Sequence, residues 1–138
     1  MEIYVLKINR KEILMFSIIG AILFSIVAIL TILVAIGLPL GEFTMGGQHK
    51  ILPNRYRVMA GISVFIQIFA IIIVLQTDGF IPLWFSLKVT KYICAFFAGY
   101  LLLNTIMNLM SRSKKERNIM TPLSFITAIC FWITVFSN

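Results

Sequence analysis

The chain has 138 residues, of which 60% are hydrophobic and only 12% charged. A water-soluble domain of this size has too little interior to hide that much apolar surface, so composition excludes one and points to the bilayer as solvent. The net charge of +7 does not call for nucleic acid, because the basic residues gather at the ends of apolar runs, where anionic headgroups are found.

The chain opens on a polar lead-in, residues 1–12, expected to lie along the membrane surface. An uncharged apolar run over 13–38 follows. Lys7, Arg10 and Lys11 before it, and Ala35-Ile36-Gly37 near its end, resemble the flanks of a signal peptide. The run far exceeds the about 7–15 residues of a signal core, so it reads as a retained spanning helix. Ala21, Ala28 and Ala35 recur at heptad spacing on it, a seam of small side chains that lets a neighbouring helix approach. Gly37-Leu38-Pro39-Leu40-Gly41 stops the helix. Loop one runs on through Glu42 to Arg57 and leads into a second uncharged run, 58–75. Thr77-Asp78-Gly79 is a turn signal, and Pro82 with Trp84 marks an interfacial start. A third run covers 89–110, with Lys91 near its beginning. Loop three, 111–117, is rich in cations. Thr121-Pro122 fits a helix start, and the last run covers 119–136. Each spanning helix needs about 20 apolar residues. The sequence thus predicts an all-α, membrane-spanning four-helix bundle with short loops, one integral membrane domain over 1–138. No internal repeat is evident.

Four spans put loops one and three on the same membrane face. Lys50, Arg55, Arg57, Arg112, Lys114, Lys115 and Arg117 give that face seven basic residues, against five on the other, Lys7, Arg10, Lys11, Lys88 and Lys91. Positive charge favours the cytoplasm, so the balance assigns loops one and three to the cytoplasmic side of a bacterial cytoplasmic membrane. The basic lead-in pulls the other way.

The candidate polar cluster is Glu42, His49, Arg55, Arg57, Arg112, Glu116 and Arg117. Glu42 follows a helix C-terminus, where the macrodipole disfavours an acid, so it is expected within salt-bridge distance of Arg55, Arg57 or Arg117. Glu116 is placed to bridge to Arg55 or Arg57. His49, the single histidine, could share a proton-transfer or metal role with Glu42, but one His and one Glu do not make a metal site, and a tight structural loop is the preferred reading. The cations of loop three read either as a headgroup site or as a positive-inside anchor. Within the membrane the candidates are Gln67, Asn104 and Asn108, the last two sharing a helix face. Ser63, Thr105, Thr127 and Thr134 add hydroxyls expected to hold helices together. Cys94 and Cys130 form no Cys-x-x-Cys pair and read as packing residues. Small four-helix multidrug exporters have similar length but carry a carboxylate in the first span, and 13–38 has none.

Gly46-Gly47 after the first helix, Pro53 beyond it, and Asn108, Ser111, Ser113, Glu116, Arg117 and Pro122 around loop three resemble the pattern of an uncharacterised family of small bacterial membrane proteins with four predicted transmembrane helices. By topology the resemblance covers the whole chain, while its motifs occupy loops one and three. Members carry a histidine and aromatics just before the glycine pair, where this chain has Leu40, Glu42 and Phe43. The resemblance implies a topology, with no substrate, cofactor or catalytic residue attached.

No catalytic triad, metal cluster or deep charge stands out, and no cofactor is expected. The leading reading is a non-enzymatic membrane protein acting as an accessory, interaction or lipid-contacting component, with membrane lipids and a membrane-protein partner or a second copy as partners. The alternative is a small oligomeric transporter or ligand-binding membrane protein, and a weaker one is an enzyme using Glu42 and His49 on a lipid-like substrate. A polar cavity around Gln67, Asn104 and Asn108 would favour the ligand-binding reading, and a tightly packed interior the first.

Overall fold

The computed structural model describes residues 10–138, and expectations for the lead-in through Asn9 lie outside them. It is an all-α bundle of four helices, α1 Arg10–Ala35, α2 Asn54–Thr77, α3 Leu87–Leu109 and α4 Thr121–Phe136, with no strand among the described residues. The helical segments Arg10–Ala35, Asn54–Thr77, Leu87–Leu109 and Glu116–Phe136 are each long and apolar enough to cross a membrane.

The helix boundaries follow from local chemistry. α1 stops at Ala35, short of the expected 38, because Gly37 takes φ +102°. There Leu38 N–H bonds Leu33 C=O at 3.1 Å and Gly37 N–H bonds Val34 C=O at 3.2 Å, the reciprocal pair of a glycine-terminated helix. α2 starts four residues earlier than the expected 58, directly after Pro53, which is extended and sets the entry angle. It ends on the same device, Phe80 N–H on Leu75 C=O and Gly79 N–H on Gln76 C=O, with Gly79 at φ +85°. Ser86 caps α3 by accepting from Val89 N–H at 3.3 Å. Pro122 does stand in the first turn of α4, but the chain is already coiled before it, in a π-helical turn Glu116–Met120. Proline has no N–H for the regular ladder, and the turn widens so that Thr121 N–H reaches Glu116 C=O.

Around the bundle the order is α2, α1, α4, α3. The hairpins α1–α2 and α3–α4 pack closely and are joined through α1 against α4, whereas α2 and α3 are the least engaged of the neighbouring pairs. The core lies where α1 meets α4: Ala21 and Phe24 against Ala128 and Phe131, with Phe24 edge-on to Phe131 at 6.0 Å, extended by Ile73, Val74, Cys94, Phe97 and Leu101. A smaller cluster, Val34, Leu52 and Ala60, seals the underside of loop one. The large apolar side chains left over face outward. Phe65 is 78% and Phe96 70% exposed, and α1 presents Met15, Ile22, Ile26 and Ile29. That inversion suits a lipid solvent.

The hydroxyls expected to bridge helices do not. Ser63, Thr105, Thr127 and Thr134 each donate to the carbonyl four residues back on their own helix. In an apolar surrounding the nearest carbonyl satisfies a hydroxyl without ordering a second helix.

A Cβ added to Gly20 would sit 3.0 Å from Cys130 Cβ and 3.3 Å from the Phe131 ring. Gly20→Leu should therefore force α1 from α4 and cost about 1–3 kcal/mol, read as a lowered Tm in detergent. Gly99→Leu, where nothing lies within 4 Å, should leave Tm nearly unchanged.

Candidate functional site

Loops one and three meet. Loop one folds into two short 3-10 turns, Gly41–Phe43 and Met45–Gly47. Met45, Gly46 and Gly47 all have positive φ, a run that only glycine adopts without cost. This strap lies on loop three. Ser113 Oγ donates to Glu42 C=O at 2.5 Å, Gly46 N–H donates to the Glu116 carboxylate at 3.1 Å, and Ser113 Oγ accepts from Glu116 N–H at 3.3 Å. A Cβ on Gly47 would come within 2.5 Å of Ser113 Cβ, so the absence of a side chain there is what allows the approach. Glu116 is only 6% exposed.

The charges pair differently from the expectation. The partner of Glu42 is Lys115, at 2.8 Å, rather than Arg55, Arg57 or Arg117. Each arginine is engaged elsewhere. Arg57 Nε donates to Ala35 C=O at 2.9 Å, with its guanidinium over Gly37, so it caps the carbonyl end of α1, where a cation is favoured. Arg55 bonds the Tyr56 hydroxyl and lies 4.7 Å from that ring's centre. Arg117 closes loop three by donating to Ser111 C=O. Glu116, expected to bridge to Arg55 or Arg57, holds the strap instead. His49 stands apart from Glu42, its ring 5.6 Å from that of Tyr56, with no bond between the two among the described residues. The Lys115 hydrogen bond, and then its charge, hold the Glu42 carboxyl below its ordinary value. Arg112 and Lys114 border a shallow depression of about 360 Å³ with Gly46 and Gly47.

The intramembrane residues divide into two groups. Asn108 is buried and donates to Ser124 Oγ at 3.0 Å and Met120 C=O at 3.5 Å, and Asn104 donates to the same Ser124 oxygen at 3.4 Å. These bonds tie α3 to the first turns of α4 and to the end of the widened turn before it. Gln67 lies across the seam and donates to Thr31 Oγ1 at 3.2 Å. Between the groups a cavity of about 290 Å³ is walled by Phe24, Ser63, Ile66, Gln67, Phe96, Phe97, Tyr100 and Asn104. It opens between α2 and α3, where Ile66, Phe96 and Tyr100 are exposed. A second cavity of about 140 Å³ shares Ser63 and Gln67 and continues to Thr44 and Met45 under loop one. Gln67 Oε1 is buried without a hydrogen-bond partner.

Sequence reasoning missed Asp78. Its side chain is 0% exposed, with Arg10 at 3.8 Å, and Oδ1 accepts from the Asn138 amide while Oδ2 has no partner. The Thr-Asp-Gly turn accounts for an aspartate by itself, and only the return of α4 places Asn138 over it.

Replacing Glu116 with Leu should cost about 1–3 kcal/mol, the penalty for stranding a part-buried N–H, whereas Glu42→Gln should lower Tm only slightly because its ion pair is solvent-exposed. The small effect has a pH sign. Because folding lowers the Glu42 pKa, the pair contributes above about pH 4.3 and is lost as pH falls through the folded value. The Tm gap between the native chain and Glu42→Gln should be present at neutral pH and gone at strongly acidic pH. Asp78→Leu should cost about 1–3 kcal/mol by stranding one of the two Asn138 amide hydrogens, the other being held by Thr134 C=O, and Asp78→Asn, which keeps an acceptor oxygen, should cost less. No protein-family model, curated protein or solved structure matches this chain.

Proposed function

We propose that this integral membrane protein is a non-catalytic binder of an amphiphile, which enters sideways from the bilayer through the seam between α2 and α3. The observation that carries the reading is the cavity between those helices, with Gln67 Oε1 buried in its wall and unpaired. A buried polar atom without a partner costs free energy, about 1–3 kcal/mol. A stable bundle that only filled space would place an apolar side chain at that position. The lining is mostly aromatic and aliphatic with a few convergent polar groups, the usual make-up of a small-molecule site. Its mouth faces lipid, so a membrane-dissolved molecule reaches it without crossing water.

The basic depression supports a complementary role in contacting lipid. No protein partner of Arg112 or Lys114 is found among the described residues, and both stand beside the headgroup region, where each cation is worth about 1 kcal/mol on an anionic surface. Loops one and three then orient the bundle while the seam binds.

A diazirine-bearing fatty-chain probe, photoactivated with the protein in nanodiscs, should label Ile66, Phe96 and Tyr100 well above the outward residues Ile22 and Ile29 of α1. Filling the cavity with Ser63→Phe should abolish that excess. Uniform labelling of all outward faces would mean that the seam is ordinary lipid-facing surface and that the binding reading is wrong.

A further inference from the structure

The depression between loops one and three holds more positive charge than the fold uses. Its rim carries Arg112, Lys114 and Lys115 around the Gly46-Gly47 backbone. Lys115 is committed to Glu42 at 2.8 Å. Arg112 and Lys114 are exposed, and among the described residues neither has an ion pair. Just behind the rim, Glu116 is buried with an oxygen on Gly46 N–H at 3.1 Å. Its charge is offset by the adjoining Arg117, which is itself fixed on Ser111 C=O at 3.0 Å. Two positive charges are left unanswered.

That balance selects among headgroups. A zwitterionic head brings an ammonium as well as a phosphate. Both carboxylates of the two loops are already engaged, so the ammonium finds no counter-charge and is repelled by Arg112 and Lys114. A phosphodiester without an ammonium offers acceptor oxygens to both cations, and a guanidinium holds such a group through two N–H bonds. Position says what the anion is attached to. Arg112 stands three residues past Leu109, the end of membrane-crossing α3. Leu103, Met107 and Met110 lead up to it, all exposed and spaced to share one face. A free anion would meet the cations and leave this apolar track unused. A lipid meets both. The depression is shallow, about 360 Å³, and takes a head while the chains stay outside against the helix.

Resting on the lipid-contacting role given to this depression, we infer that it is a headgroup site for an anionic phospholipid, whose phosphate lies between Arg112 and Lys114 while one acyl chain runs along Met110, Met107 and Leu103. The site selects by headgroup charge and is separate from the seam between α2 and α3.

The test uses the whole chain in nanodiscs of phosphatidylcholine with a trace of photoreactive phospholipid. The diazirine sits near the glycerol end of an acyl chain, and the head is either phosphatidylglycerol or phosphatidylcholine. The phosphatidylglycerol probe should label Met107 and Met110 roughly 10- to 30-fold more, the worth of two interfacial cations. Arg112→Gln combined with Lys114→Gln should bring that ratio close to one. Lys88→Gln combined with Lys91→Gln, which removes the same charge from the start of α3, should leave it unchanged. If the first variant does not fold, the ratio on the native chain decides alone. Equal labelling by the two heads would overturn the anionic assignment and leave lipid contact standing. An equal fall in both double variants would mean diffuse attraction in place of a site. Loss of the excess on adding millimolar inorganic phosphate at constant ionic strength would reassign the depression to a soluble anion. No labelling of Met107 and Met110 by either probe would remove the lipid-contacting role itself.

Discussion

The structure depends on the contact between the Met45-Gly46-Gly47 strap and the Ser113–Glu116 segment. The two helical hairpins meet mainly through α1 and α4, and this contact is the hydrogen-bonded tie between loops one and three. It is short-range and demanding. It needs backbone that bends to positive φ, a position without Cβ, a serine that donates to one loop and accepts from its own, and a carboxylate buried to 6% exposure. Glu116 fits because it meets a backbone N–H, which a carboxylate binds strongly, where an arginine partner would have had to bring a second charge out of water.

The strap ties the hairpins at one end and Asn138 on Asp78 ties them at the other, while α1 and α4 pack along their length and α2 and α3 remain the least engaged of the neighbouring pairs. The seam follows from that geometry. Closing it would require a larger side chain on α2, where Ser63 stands. Gln67 is held in the wall by one amide hydrogen on Thr31, and its carbonyl oxygen is left without a donor. The binding proposal draws on this imbalance.

Much of the fold was legible in the sequence. Spanning runs are dictated by length and hydropathy, and the glycines at 37 and 79 mark where two of the four helices stop. That loops one and three share a face follows from counting spans. The identity of the ion pairs was not legible, because charge complementarity is blind to competing demands. Arg57 answers the carbonyls at the end of α1, which needed a donor regardless of Glu42, and Lys115 was left to pair with the acid. Asp78 was obscured by its own turn motif. The seam was legible only as a glutamine in mid-helix, since the distance between α2 and α3 is set by packing elsewhere.

The strap contact also bears on how the protein is made. Gly46 and Glu116 are 70 residues apart, so the contact cannot form until the second hairpin has been made. Until the third loop is synthesised, the N–H of Gly46 and the C=O of Glu42 remain with water at the headgroup level. Closure of the strap thus reports that all four helices are in place with loops one and three on the same face. A chain inserted with one span inverted or missing would keep those groups open. The folded loop is in this sense a topological checkpoint, read out by backbone hydrogen bonds between two short turns.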